Sequence, residues 1–210
     1  MAFTPVVARD GNNAAQSMAA FQDLSSVNYA GVSLDSTQQT YRASANFTPT
    51  ATGAVTMITV TGSATKTVRI KRIMIGGVST ALSASVFQLL RVTALGAGGT
   101  LVAPTVAKMD TGSAAATAVV NHWTSTLKAT GTGGGGPLAT ALITTSTVTT
   151  PTVALAGVPQ MMFPEVGAPI GQSIVLRGVA DILEIQNVTP ANLGAGTVLT
   201  YMIEWIEDAS

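Results

Sequence analysis

His122 is the only histidine in the chain, so a Ser-His-Asp triad would depend on that one ring and a cluster of histidines around a metal is impossible. No G-x-S-x-G elbow accompanies it. Beside Trp123, in a run of extended character, it reads as a packed or surface histidine. The carboxylates offer two close spacings, Asp181 with Glu184 and Glu204 with Glu207. On a strand an odd separation sends two side chains to opposite faces, so neither is a ready-made glycosidase pair, and pairs drawn from distant strands stay open. Gly131, Gly133 and Gly136 satisfy G-x-G-x-x-G, but Pro137 and a Thr-rich run follow where a pyrophosphate-holding helix would have to begin. That segment reads as a flexible loop. There is no cysteine, which excludes disulfides, thiolate metal sites and cysteine nucleophiles. Asn46-Phe47-Thr48 and Asn187-Val188-Thr189 match the glycosylation sequon, a match that a Thr-rich chain produces by chance. The expectation is a protein with no cofactor and no catalytic centre.

One cluster of charge stands out. Lys66, Arg69, Lys71 and Arg72 place four of the ten basic residues within seven positions. They form either a stripe that binds a partner or the half-exposed face of a strand opposite Glu204 and Glu207. The second reading is favoured, and nothing aromatic is interleaved for base stacking. Ten basic residues balance ten acidic ones, so no global field holds nucleic acid or an anionic membrane. Charged residues make up 10% of the chain, against roughly 25% in ordinary soluble domains. A surface so poor in charge suits a protein covered by copies of itself or by a larger assembly, and a homo-oligomer, a trimer in particular, is expected. Met1 to Ala20 lacks a basic segment followed by an apolar one, and no stretch approaches 18 apolar residues without interruption. The chain reads as neither exported by a signal peptide nor membrane-spanning.

The element that must position these residues is Lys66 to Ile75, KTVRIKRIMI. Val68 and Ile70 alternate with Thr67, Arg69 and Lys71, then the apolar set resumes one residue late at Ile73 and Ile75, the mark of a β-bulge after adjacent Lys71 and Arg72. Its natural partner is Leu199 to Glu207, with Leu199, Tyr201, Ile203 and Trp205 on one face. Further strands are read at Tyr41–Phe47, Val55–Thr61, Ser85–Leu95, Ser173–Arg177, Asp181–Val188 and Thr197–Ile206, punctuated by Gly53, Gly62, Gly76 with Gly77, and Gly96 through Gly99. Leu101–Met109, interrupted by Pro104, reads as an edge strand. Ser113–Val120 fits helix or strand, and the extended run after it favours strand. Leu138–Leu155 reads as two extended pieces around Pro151, and Val158–Pro169 as an irregular crossing. The fold class is all-β: nine or ten strands, successive ones antiparallel, in a two-sheet antiparallel β-sandwich of jelly-roll type over residues 41–210, with the first and last strands meeting inside it. Residues 1–40 form an N-terminal arm, extended and partly helical, with a helix over Asn12–Leu24 capped by Asn12 or Asn13, ordered either by packing on a neighbour or by folding back onto its own sandwich. Phe3, Val6, Arg9, Met18, Phe21 and Tyr29 are its expected partner-binding residues, because the segment is too short to bury its apolar side chains alone.

Taken together, KTVRIKRIMIGG, VAKMDTGSAAATAVV, PIGQSIVLRGVADILEIQN and LTYMIEWIED resemble segments of small virion structural proteins of tailed bacteriophages. The resemblance runs over roughly residues 41–210, leaves Met1 to Thr40 uncovered, and rests on motifs that carry no chemistry. It implies a non-enzymatic capsid decoration or cement protein on the virion exterior, made in the host cytoplasm. Its partners would be the major capsid protein and further copies of itself. The alternative is a head-fibre or tail protein that binds carbohydrate on the host surface.

Overall fold

The computed structural model describes residues 6–9, 15–18, 21–22, 28–29, 39–49, 55–124, 135–147, 160–163, 173–189, 192–193 and 196–209. Its contacts divide the chain into two compact units, Met1–Gln38 and Gln39–Ser210.

The first unit holds two small antiparallel pairs. Strand β1 (Val6–Arg9) lies against β2 (Ala15–Met18) with Val6 opposite Met18, and β3 (Phe21–Gln22) lies against β4 (Asn28–Tyr29) with Phe21 opposite Tyr29. The helix expected over Asn12–Leu24 is therefore replaced by strand at Ala15–Met18 and Phe21–Gln22. An isolated helix with so small an apolar face is marginal, whereas pairing with Val6–Arg9 satisfies the same backbone groups across a hairpin. Of the expected arm residues, Val6, Arg9, Met18, Phe21 and Tyr29 lie on these strands, and Phe3 lies outside the described residues.

The second unit is all β. Its strands are β5 (Gln39–Phe47), β6 (Val55–Thr61), β7 (Lys66–Ser79), β8 (Ser83–Val92), β9 (Leu101–Val102), β10 (Val106–Lys108), β11 (Val119–Trp123), β12 (Ala139–Thr147), β13 (Gln160–Phe163), β14 (Ile174–Arg177), β15 (Ile182–Asn187) and β16 (Val198–Ala209). One sheet runs β10–β5–β16–β7, with β14 and β13 placed end to end along the far edge of β7. The other runs β12–β8–β15–β6–β11–β9. Without the short strands the two orders are β5–β16–β7–β14 and β6–β15–β8–β12, so the chain passes from sheet to sheet at nearly every connection. This is the jelly-roll arrangement, and in it the first strand of the unit lies beside the last. Of these eight strands, β8 and β12 are the one consecutive pair that lies side by side; the others pass to the opposite sheet. At one corner the sheets touch, where the end of β12 runs parallel to the end of β7 and Thr145 shares its hydroxyl with Ser79 and Ser83.

The organising ladder is β7 with β16. Twelve pairs run from Val198 opposite Val78 to Ala209 opposite Lys66, and the register shifts where Glu204 faces Arg72 and Trp205 faces Ile70. The extra residue is Lys71, on β7, so Val68 and Ile70 before it and Ile73 and Ile75 after it all point inward. Strand β7 also runs on through Gly76 and Gly77, which sequence punctuation marked as its end. A side chain at Gly77 would stand 2.7 Å from the Val198 carbonyl and 2.8 Å from the Leu199 side chain. Glycine there admits close approach of β16 and does not turn the chain.

Between the sheets lie Tyr41, Phe47, Ile58, Val60, Ile70, Ile73, Ile75, Phe87, Leu89, Leu183, Ile185, Leu199, Tyr201, Ile203 and Trp205. Trp205 stacks on Tyr41 of the adjacent strand with centroids 5.8 Å apart. Strands β9 to β11 come from the long connection between β8 and β12. That connection extends both sheets on the same side, β10 beside β5 and β11 beside β6. Pro104 sits where the chain crosses from β9 to β10, so the single interrupted edge strand expected over Leu101–Met109 is two edge strands on different sheets. Ser113–Val120 is strand only from Val119; Ala114–Thr117 is irregular. Within Val158–Pro169, expected to be an irregular crossing, Gln160–Phe163 forms β13 on the edge of β7, because that edge is free between β14 and β12. Gly131, Gly133 and Pro151 lie outside the described residues.

Trp205 is fully enclosed while Trp123 is half-buried at the sheet margin. Trp205→Ala should therefore lower the unfolding free energy by about 3 to 5 kcal/mol and Trp123→Ala by clearly less, as read from urea denaturation. The reverse order would contradict the placement of β16 at the centre.

Candidate functional site

The basic stripe of β7 lies on the outer face of the first sheet, and the neighbouring strand β16 answers it. The β7 bulge sets Lys71 and Arg72 against a single residue of β16, Glu204. The Arg42 guanidinium of β5 reaches the same carboxylate from the other side at 3.0 Å, and Lys71 Nζ lies 4.0 Å from its second oxygen. Farther along, Arg69 Nε donates to Asp208 at 2.6 Å. These side chains are partly exposed, so each pair adds on the order of 1 kcal/mol or less. Their effect is to fix the register and to leave an outer face of mixed, locally balanced charge.

Glu207 does not join them. It continues the inward set of Leu199, Tyr201, Ile203 and Trp205 and is buried between the sheets. Its carboxylate accepts from the Thr117 N–H at 2.9 Å, the Ala118 N–H at 2.8 Å, the Thr117 hydroxyl at 2.7 Å and the Trp205 indole at 3.1 Å. Lys66 Nζ lies 3.6 Å away and also donates to Gln39. Burial alone would push this carboxyl up, yet the bonds from Ala118, Thr117 and Trp205 outweigh it and hold the group below the usual range. The segment before β11 is thereby tied to the core, with Tyr41 adding a hydroxyl bond of 2.9 Å to the Ala114 carbonyl. Of the four sequence-selected cations, Lys66 reaches this interior centre.

His122 is enclosed on β11. Its Nδ1 lies 3.1 Å from the Tyr201 hydroxyl and its ring 5.1 Å from that of Phe47. Burial lowers the pKa of the imidazole and raises that of the Tyr201 phenol, so both are neutral near pH 7. No carboxylate touches the ring among the contacts of the described residues, so no triad is assembled there. Asp181 precedes β15, where it pairs with Arg91 at 3.1 Å and accepts the Arg177 N–H. Glu184 is fully buried on β15 and accepts from the Thr56 hydroxyl at 3.2 Å. The two carboxylates part, as their spacing requires. Asn187 is fully buried and accepts from Ser85, and the Asn46 carbonyl oxygen accepts from the exposed Thr200 hydroxyl; only Asn46 is open to solvent. Among the described residues no three His, Asp or Glu side chains gather to hold a metal ion.

The arrangement binds strands to one another and leaves an outer face of paired charges at β5, β16 and β7. The Glu207 centre was missed by sequence reasoning, although the signal was present: position 207 has the same parity as Trp205, and β16 carries no bulge of its own. Thr117 and Ala118 carried no signal. Comparison with family models, with curated proteins and with solved structures finds no match.

Because Glu207 titrates lower in the folded chain than its ordinary 4.5, its contribution is complete above that value and is lost as pH falls through the folded value. Glu207→Gln should cost about 1 to 3 kcal/mol at neutral pH, and the gap from the native chain should close on acidification. A gap independent of pH in denaturation curves would contradict the assignment.

Proposed function

We propose that the chain is a non-enzymatic structural protein of a virus particle, one that decorates or cements a tailed-phage capsid as a homo-oligomer. The observation that carries this reading is where the chemically capable side chains go. Glu207, Glu184 and His122 are buried in contacts between strands, and the outer charges of β7 are paired within their own sheet. Such a molecule offers surfaces for association. The resemblance of Lys66–Ile75, Lys108–Val120, Ile174–Gly178 and Ile203–Glu207 to phage virion proteins supplies the class. The jelly roll, which capsid and lectin domains also use, agrees with it by analogy. The sugar-binding alternative is weaker, because Trp205, Tyr41 and Tyr201 are buried and cannot stack on a sugar.

In this reading the Met1–Gln38 unit is the attachment arm, and repetition over many capsid sites makes modest affinity per copy sufficient. The test is cosedimentation with empty heads of the phage that carries the protein, using the full chain and a chain lacking residues 1–38. The full chain should bind, and the shortened chain should melt cooperatively yet stay in solution. Normal binding by the shortened chain would move attachment to the face around Lys66–Arg72; failure of the full chain to bind would overturn the proposal.

A further inference from the structure

The two buried titratable side chains that hold the sandwich margin converge on one element. His122 lies within β11, and Glu207 grips Thr117 and Ala118 immediately before it. Strand β11 has four ladder pairs with β6 and two with β9, and β10 has three with β5. Beyond these, Ala118, Val120, Asn121 and His122 are buried and Val106 and Ala116 pack on the core, while Leu101, Val102, Ala107, Lys108, Met109 and Val119 are all exposed. A segment with short ladders, exposed side chains and polar anchors opens at a lower free energy than the long ladders of β7, β8 and β16.

We propose that residues Leu101–Thr124 form an acid-released flap, opened by protonation of His122 while the rest of the sandwich stays folded. The ring is enclosed by Phe47 of β5 and the Tyr201 phenol of β16, with Ile58 of β6 and Val102 of β9 as its ladder neighbours. None of these four residues carries a charge to compensate an imidazolium. Both ring nitrogens become donors on protonation, so the Tyr201 hydroxyl must turn to accept. Burial of the imidazole gives the sign: its folded pKa is depressed, so its contribution is complete above the ordinary 6.5 and is lost as pH falls through the lower folded value. Glu207 faces Lys66, Tyr41, Thr117, Ala118 and Trp205, and its contribution stays complete down to its ordinary 4.5, whereas that of His122 begins to fall at 6.5, so Glu207 is not the first trigger met on acidification. The consequence is a release of the β9–β11 margin as pH falls below the ordinary 6.5 of an imidazole, a property independent of the capsid reading.

Because the chain has one histidine, its ring resonances report the protonation of His122 directly in the full-length protein. Amide exchange across 101–124, corrected for intrinsic rates, should speed by about tenfold for each pH unit below the onset of opening. The acceleration should begin near the ordinary 6.5 and level off at the midpoint of the ring titration, while protection of β7 and β16 persists. His122→Gln should remove the step, and Glu207→Gln should leave its dependence on His122 in place. Retained protection with a protonated ring, or simultaneous loss across β7 and β16, would overturn the proposal whether or not the variants fold.

Discussion

The fold depends on the pairing of β7 with β16. With 14 and 12 residues these are the longest described strands, and every other element of the first sheet is placed against one of them except β10, which is added beyond β5. Strand β5 takes the outer edge of β16, and β14, β13 and the end of β12 share the outer edge of β7 in succession. The bulge at Lys71 makes this possible. Were Lys71 paired in a regular ladder, the inward set of Val68 and Ile70 would be out of phase with Ile73 and Ile75, and half of the strand would turn its apolar side chains to solvent. The same bulge sets two cations against Glu204, so one local irregularity settles both the core and the charge pattern of the outer face.

Inside, the sandwich accepts a carboxylate where an apolar residue would be simpler. A buried charge is tolerated only when hydrogen bonds replace its water, and Glu207 has donors from two backbone amides, a hydroxyl and an indole. What the carboxylate gains is specificity: it selects Thr117 and Ala118 as the point where the long β8–β12 connection docks. A run of Ala with Ser and Thr such as SAAATA has too little side chain to specify a docking site by packing, so a polar anchor from β16 does it.

Legibility in the sequence followed the length of the ladder. The bulge at Lys71, the inward face of Leu199 to Trp205 and the meeting of first and last strands were readable, because period-two patterns over seven or more residues have few alternative explanations. Strands of two or three residues leave no such pattern, which is why β9 and β10 were read as one and the start of β11 as ambiguous. Gly76 and Gly77 were misread because a glycine that ends a strand and one that admits a close neighbour look alike in sequence. The Asn12–Leu24 helix failed for a related reason: local propensity was weighed without the partner strand Val6–Arg9. In the candidate site, Glu204 was placed correctly by its charge, whereas Glu207 needed parity to override charge.

The central claim is that Lys71 is the one residue bulged out of the β7–β16 ladder, and that this bulge keeps the inward faces of both halves of β7 in phase. Deleting Lys71 tests it most directly, with thermal unfolding followed by near-ultraviolet circular dichroism of the two tryptophans. The account predicts that the tertiary signal and the cooperative transition persist, because removing the one unpaired residue puts Val68, Ile70, Ile73 and Ile75 in regular alternation and keeps all twelve pairs with β16. A shortened chain that loses the native spectrum or the cooperative transition would contradict it.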